Sequence, residues 1–152
     1  PRGKAAEAEQ IARWGAEQID MGVQIGWLKS GRYDDFRDDI ADVVSASGLA
    51  VKVMLELPLL TAAEREAAVE LAQEAGAAYL KNASSGAVET ANPDSIAWLA
   101  ARARPGVLVK ASGGITGEAQ VRALLEAGAA LVGTSAGIEI VTGTAHGATR
   151  SY

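Results

Sequence analysis

The sequence predicts an α/β fold in which short parallel strands alternate with helices. Short apolar stretches rich in β-branched residues recur roughly every 25–30 residues, which is the size of a βα unit. The letters EAGAA occur at 74–78 and again at 126–130, each time between a helical pattern and the next apolar stretch. Because these stretches are mostly apolar on both faces, they indicate the strands of a buried parallel sheet.

The first elements are predicted from spaced apolar residues and from glycines that end helices. A helix is expected over 4–14, and Gly15 follows it at a helix C-terminal position. The apolar alternation of 18–23 predicts the first strand. A second helix is expected over about 33–46, and it ends near Gly48.

The middle of the chain carries the clearest boundary signals. The apolar run 50–57 predicts the second strand. Thr61 with Glu64 three residues later resembles a capping box, which opens a helix that runs to about Ala75. The third strand is then expected over 78–82.

The last third repeats the alternation of helix and strand. Asn, Pro and Asp at 92–94 open a helix that runs to about 102, and a Pro-Gly breaker precedes a strand over 107–111. A helix over 116–127 and a strand over 130–134 follow. The last dozen residues, 141–152, are rich in Gly, Thr and Ala and are predicted to be a tail.

Five βα units fit two architectures, which the pattern alone does not separate. One is an open, doubly wound sheet, and the other is an incomplete eight-stranded β/α barrel. No linker or low-complexity segment divides the chain, so residues 1–152 are expected to form a single domain.

Composition excludes several classes of function. Residues are 49% hydrophobic and 22% charged, as in ordinary globular proteins, and the net charge of −5 gives no general attraction to nucleic acid or to anionic membranes. No apolar run is long enough to cross a membrane, and the first residues do not resemble a signal peptide. The absence of cysteine excludes disulfides and thiol chemistry and fits a cytoplasmic location.

Charged residues interrupt the apolar strands at equivalent places. Asp20, Lys81 and Lys110 each follow an apolar residue inside or at the end of an apolar run, and another strand contains Lys52 early and Glu56 late. Burying such groups without partners is costly, so they are either internal ion pairs or parts of a site. Because sites of parallel sheets lie at the carboxyl ends of strands, their recurrence favours a site.

A pair of lysines with an aspartate suits carbon–carbon bond chemistry through an enamine. A lysine amine attacks a carbonyl only when neutral, and a second cation together with an apolar wall favours the neutral form. Lys81 and Lys110 on neighbouring strands could form such a pair. Asp20 could then move protons at the carbon next to the imine, directly or through a water.

Glycines follow the last two predicted strands. Gly113 and Gly114 come after Lys110, and the segment Gly133–Gly137 follows the fifth strand. Free backbone N–H groups at these turns could hold a phosphate, although glycine there is often only turn geometry. Together they match the usual phosphate position of barrel enzymes.

Five segments, in the same order and at similar spacing, resemble those of deoxyribose-phosphate aldolases. The match covers about 4–140, and its closest segment, 109–115, reads VKASGGI as in that family. The other segments are EQIDM through IGWLKSG at 17–31, VKVMLE at 51–56, KNASSG at 81–86 and GTSAG at 133–137.

The resemblance implies a partial β/α (TIM-type) barrel and a lyase. Its implied reaction is reversible cleavage of 2-deoxyribose 5-phosphate to acetaldehyde and glyceraldehyde 3-phosphate, with no metal and no cofactor. Lys81 would form the imine, Lys110 would be the neighbouring cation, and Asp20 would relay protons. The residues implied in binding substrate and phosphate are Lys52, Ser84, Gly86, Gly113, Gly114, Gly133 and Ser135.

The chain departs from the family in two respects. Asn82 and Ala83 stand where the family usually has Thr and Ser, and Thr116 stands where it often has a basic or polar residue. The chain also supplies about five of the eight βα units, so we expect a homo-oligomer or a partner chain to complete the barrel. The alternatives are a family member without turnover that binds a phosphorylated ligand or regulates a partner aldolase, and an unrelated open α/β binding domain.

Overall fold

The computed structural model describes residues 2–144, which alternate between helices and parallel strands. None of the helices in this part of the chain is long and apolar enough to cross a membrane. In chain order the elements are α1 (Arg2–Arg13), β1 (Gln18–Gly22), α2 (Ile25–Lys29), α3 (Tyr33–Ser47), β2 (Ala50–Met54), a 3₁₀ turn (Leu57–Leu59), α4 (Ala62–Glu74), β3 (Tyr79–Lys81), α5 (Pro93–Ala100), β4 (Leu108–Ser112), α6 (Glu118–Glu126), β5 (Leu131–Gly133) and α7 (Gly137–Thr142).

The strand order decides between the two predicted architectures. All neighbouring strands are parallel, and they lie side by side in the order β1-β2-β3-β4-β5. A doubly wound sheet reverses its order at a switch point, whereas the strands of a β/α barrel follow one another around the sheet. The described residues therefore form five consecutive units of a barrel, as predicted.

The sheet is curled strongly enough to bring distant strands together. In a flat sheet, β1 and β4 would lie three strand spacings apart, or about 14 Å. Nevertheless, Lys110 Nζ on β4 lies 2.7 Å from Asp20 Oδ2 on β1. The two side chains could not span a flat sheet, so their contact requires a concave face onto which both project.

The two faces of the sheet differ in chemistry because successive side chains alternate. The convex face is apolar and buried under the helices, with Val51, Val53 and Leu80 fully enclosed. The concave face carries the charged residues, and in the ladder Asp20 pairs with Lys52 and Lys81 pairs with Lys110. The sequence predicted that both faces of the strands are mostly apolar. The convex face is apolar, but the concave face is not.

Several predicted boundaries are wrong by a few residues. The strand predicted over 50–57 ends at Met54, and α6 begins at Glu118 rather than at 116. Two short helices, α2 and α7, were not predicted, and α7 extends into the predicted tail. Residues 145–152 of that tail, including His146, lie outside the described residues.

Candidate active site

Three lysine amines converge on one carboxylate at the concave face. Asp20 Oδ2 accepts from Lys81 Nζ at 2.9 Å and from Lys110 Nζ at 2.7 Å. Lys52 Nζ lies 3.1 Å from the other oxygen, Oδ1. The lysines come from β2, β3 and β4, so the curvature of the sheet, rather than closeness in sequence, assembles the cluster.

The cluster is largely shielded from water. The side chains of Lys52 and Lys81 are 6% and 7% exposed, and that of Lys110 is 14% exposed. Asp20 is the most open member, with 29% of its side chain exposed. Lys52 also lies over the ring of Tyr79, with Nζ 5.6 Å from the ring centroid. A small molecule could therefore reach the cluster from the side of Asp20.

The lysines determine the protonation of Asp20. Burial by itself raises the pKa of the Asp20 carboxyl, but hydrogen bonds from Lys110, Lys81 and Lys52 together outweigh it and hold this pKa well below its ordinary range. Asp20 is consequently a carboxylate at neutral pH. In this state it can accept a proton or orient a water, but it cannot donate a proton of its own.

The loop that follows Lys81 is held against β4 by Asn82. The Asn82 side chain is fully buried; it accepts from Ser112 N at 2.9 Å and donates to Ser112 O at 3.0 Å. It thus copies the hydrogen bonding of a strand residue and extends the β3–β4 pairing. The same amide donates to Glu89 Oε2 at 2.7 Å.

Glu89 is a site-proximal residue that the sequence analysis missed. Its carboxylate accepts from Asn82, from Asn92 at 3.1 Å and from the hydroxyl of Ser95. This network joins the loop after β3 to the start of α5. The sequence signal that could have pointed to Glu89 is that it is the one acidic residue in the otherwise uncharged segment 82–92.

The glycines predicted to bind phosphate pack two loops together. A Cβ on Gly86 would lie 2.8 Å from Gly114 N, and a Cβ on Gly113 would lie 2.1 Å from Glu89 O. Gly113 has φ +113° and Gly114 has φ +61°, both in the left-handed region that favours glycine. The loops after β3 and β4 therefore touch through backbone, which side chains at these positions would prevent.

This packing predicts a large loss of stability on replacing Gly113 by alanine. The added Cβ meets a carbonyl oxygen and the positive φ becomes strained, so we expect a loss of about 2–5 kcal/mol in the free energy of unfolding. Urea unfolding measures it. Gly26→Ala is the matched control because its Cβ would have nothing within 4 Å, so it should be neutral or slightly stabilising. Equal stability of the two variants would contradict the packing argument.

Gly133 and Ser135 lie at the end of β5, beside the cluster rather than in it. A Cβ on Gly133 would lie 3.1 Å from Lys110 Cε, so this glycine leaves room for the Lys110 side chain. Ser135 and Ser84 are both exposed. Thr134, which was not singled out from the sequence, donates to Ile115 O at 2.5 Å and thereby ties the ends of β4 and β5 together.

The described part of the chain offers no obvious metal site. No group of three or more His, Cys, Asp or Glu side chains within residues 2–144 is placed to hold a metal ion.

Proteins similar to this chain are named deoxyribose-phosphate aldolases. It is 41% identical over 141 residues to the one from Staphylococcus carnosus, covering 92% of this chain and 64% of that protein. It is 42% identical over 145 residues to the one from Enterococcus faecalis, covering 94% and 66%. The chain thus spans slightly less than two thirds of the length of these relatives. No protein-family model matches it.

Solved structures give the same result for the fold. An aldolase named QR15 superposes with a TM-score of 0.87 at 30% identity, covering 94% of this chain and 65% of that one. The tetrameric deoxyribose phosphate aldolase of Aeropyrum pernix superposes with a TM-score of 0.78 at 27% identity, covering 92% and 60%. Together with about 40% identity over nine tenths of the sequence, this agreement places the chain in the deoxyribose-phosphate aldolase family.

Proposed function

We propose that this chain is a class I aldolase, which uses Lys81 to cleave 2-deoxyribose 5-phosphate reversibly into acetaldehyde and glyceraldehyde 3-phosphate. The observation that carries this proposal is the meeting of the Lys81 and Lys110 amines at one oxygen of Asp20, on the concave face of the sheet. The similar proteins from Staphylococcus carnosus, Enterococcus faecalis and Aeropyrum pernix are named as aldolases of deoxyribose phosphate, and the five matching segments contain the clustered residues.

The first step is formation of an imine at Lys81. Three amines meet one carboxylate, so the cluster carries excess positive charge when every group is ionised, and imine formation requires the Lys81 amine in its neutral form. Neutral Lys81 Nζ attacks the aldehyde carbon C1 of the open-chain sugar, and the resulting carbinolamine loses water. Lys110 and Lys52 remain as cations that balance Asp20.

Cleavage follows from the electron demand of the iminium. The C3 hydroxyl loses a proton, the C2–C3 bond breaks, and its electron pair moves into an enamine over C1, C2 and Nζ. Glyceraldehyde 3-phosphate leaves with C3 as its new aldehyde. Asp20, directly or through a water, takes up the hydroxyl proton and returns it to C2, and water then releases acetaldehyde from Lys81. No cofactor is needed because the iminium is the electron sink.

The phosphate group would lie at the turns after β4 and β5. These turns include Gly113, Gly114, Gly133 and Ser135, at the same edge of the sheet as the lysine cluster. Ser84 and Gly86 from the loop after Lys81 complete this rim. Backbone N–H groups at the carboxyl ends of late barrel strands commonly take that role.

Borohydride trapping tests the proposal. The protein is incubated with acetaldehyde or 2-deoxyribose 5-phosphate, reduced with borohydride and digested. We expect a stable mass increment on the peptide that contains Lys81. If the ligand protected the protein but left no adduct, the result would instead favour a binding protein without turnover. No structural observation supports that alternative.

We further propose that one domain, formed by residues 1–152, works in the cytoplasm within a completed barrel. The concave face leaves Leu108 43% exposed, and β1 and β5 are unpaired edges of the described sheet. Further strands, a partner chain or a second copy would cover this face, since such edges otherwise associate. Light scattering should give a mass above 15.6 kDa for the active species. A fully active species of that mass would contradict the proposal.

A further inference from the structure

We infer that Glu56 is a positioning residue that holds the segment after Lys81 in place and so fixes the Lys81 amine. The inference rests on the proposed function, because it assigns Glu56 to the Schiff-base site. Glu56 lies two residues beyond the end of β2, the strand next to β3, and from the sequence it was predicted only to share a strand with Lys52. The structure places it elsewhere: its carboxylate faces the loop 82–84.

The backbone of Glu56 is unusual. It has φ 55° and ψ 50°, and it is the only non-glycine residue between 2 and 144 with positive φ. This left-handed conformation is unfavourable for residues with a Cβ. Glycine would adopt it freely, so the presence of a long acidic side chain here needs a compensating contact.

The contact is made with the chain that leaves Lys81. Both carboxylate oxygens of Glu56 lie 3.1 Å from Ser84 N, which donates to them. The residues on either side of Glu56 hold the same segment: Leu55 N donates to Lys81 O at 2.9 Å, and Leu57 N donates to Asn82 O at 3.1 Å. Three consecutive residues therefore bind three backbone groups of the segment 81–84, namely the carbonyl oxygens of Lys81 and Asn82 and the N–H of Ser84.

The left-handed conformation of Glu56 makes this set of hydrogen bonds possible. In a regular strand, successive N–H groups point in turn to the strands on either side. If residues 55–57 were regular, they would only continue the backbone ladder, and no side chain would reach the loop after β3. The turn at Glu56 ends the strand and directs its carboxylate toward Ser84, while Leu55 bonds to the last residue of β3 and Leu57 to the residue after it. On the other side, Asn82 ties the segment to β4.

Holding the segment 81–84 in place matters for imine chemistry because the Lys81 amine must meet both the substrate carbonyl and Asp20. Displacements of about 1 Å can slow a reaction by two orders of magnitude. A segment held on both sides keeps the Lys81 backbone fixed while the side chain exchanges Asp20 for substrate. Glu56 contacts no reacting atom in this scheme, so its effect is exerted through the backbone.

Three variants separate the side-chain contact from the backbone conformation. Glu56→Asn and Glu56→Gly both tolerate positive φ, but neither side chain can reach Ser84 N. Glu56→Gln keeps the reach and one acceptor oxygen while it removes the charge. We expect acetaldehyde–borohydride trapping at Lys81 to slow by about tenfold to a hundredfold in the Asn and Gly variants and by less than about threefold in the Gln variant.

Hydrogen exchange gives a readout that does not depend on activity. Amides of peptides covering 82–86 should exchange at least about tenfold faster in the Asn and Gly variants, while peptides covering 50–54 stay protected. The inference would be overturned if the Asn and Gly variants kept the wild-type rate of adduct trapping and the wild-type rate of amide exchange at 82–86. Absence of any Lys81 adduct in the unmodified protein would instead refute the proposed aldolase function, and the exchange data would still decide the role of Glu56.

Discussion

Replacing Lys81 by methionine is expected to abolish the borohydride-trapped adduct and to lower sugar phosphate cleavage by at least about a thousandfold. Methionine matches the length of the lysine stem and fits a side chain that is 7% exposed, but it has no amine to form the imine. Lys52 and Lys110 would still balance Asp20, so the fold should persist. Mass mapping of the reduced protein and a coupled aldehyde assay measure the two effects.

Lys110→Met separates the reactive lysine from its neighbour. This variant should still form the adduct on Lys81, but more slowly, because one cation has left the cluster. Lys29→Met is the surface control: its side chain is 43% exposed and pairs with Glu64, so trapping should not change. An adduct that maps to Lys110, or that survives in Lys81→Met, would show that the two roles have been assigned to the wrong lysines.

Asp20→Asn is expected to slow turnover by about a hundredfold to ten-thousandfold. Asparagine is nearly isosteric with aspartate, but it neither takes up a proton nor balances the three amines that contact this side chain. The imine could still form, so the adduct should remain trappable while cleavage fails. Asp38→Asn, at an exposed ion pair with Arg37, is the matched control and should keep full activity.

The same carboxylate predicts a pH dependence of stability. The pKa of Asp20 is lower in the folded protein than its ordinary value of about 3.9, because the three lysines stabilise the charged form against the cost of burial. Its contribution is therefore fully present above about pH 5 and is lost as the pH falls through and below 3.9. Urea unfolding should show a constant difference between wild type and Asp20→Asn above pH 5 that shrinks in acid. A difference that does not vary between pH 7 and pH 3 would contradict this assignment.

The resemblance and the geometry depend on different properties of the same residues. The segment VKASGGI identifies the family through its letters, yet nothing in those letters says that Lys110 reaches Asp20, which lies 90 positions earlier. Conversely, Asn82 is a departure from the family pattern in sequence, whereas in the structure it is a fully buried connector between β3 and β4. We therefore expect Asn82 to support the site rather than to disrupt it.

Local signals predicted the alternation of elements and most of their boundaries. The capping box of Thr61 and Glu64 opens α4 as expected, since its two hydrogen bonds lie within one turn. The short helix α2 and the end of β2 were missed for a physical reason: each depends on contacts with distant parts of the chain. Met54 ends the strand because Glu56 adopts a left-handed conformation, and its side-chain partner, Ser84, is 28 residues away.

Neighbouring positions alone predicted the alternation of helices and parallel strands and singled out the charged residues within apolar strands as candidates for a site, because apolar runs and their interruptions are local properties of the chain. The curl of the sheet, the unreversed order of its strands and the contact of three amines with one carboxylate are seen only once the strands have assembled. Those features follow from the register and twist of β1 to β5, which long-range hydrogen bonds and packing set. The roles of Glu56 and Glu89 likewise could not be predicted from the sequence, because the fold brings their hydrogen-bond partners to them.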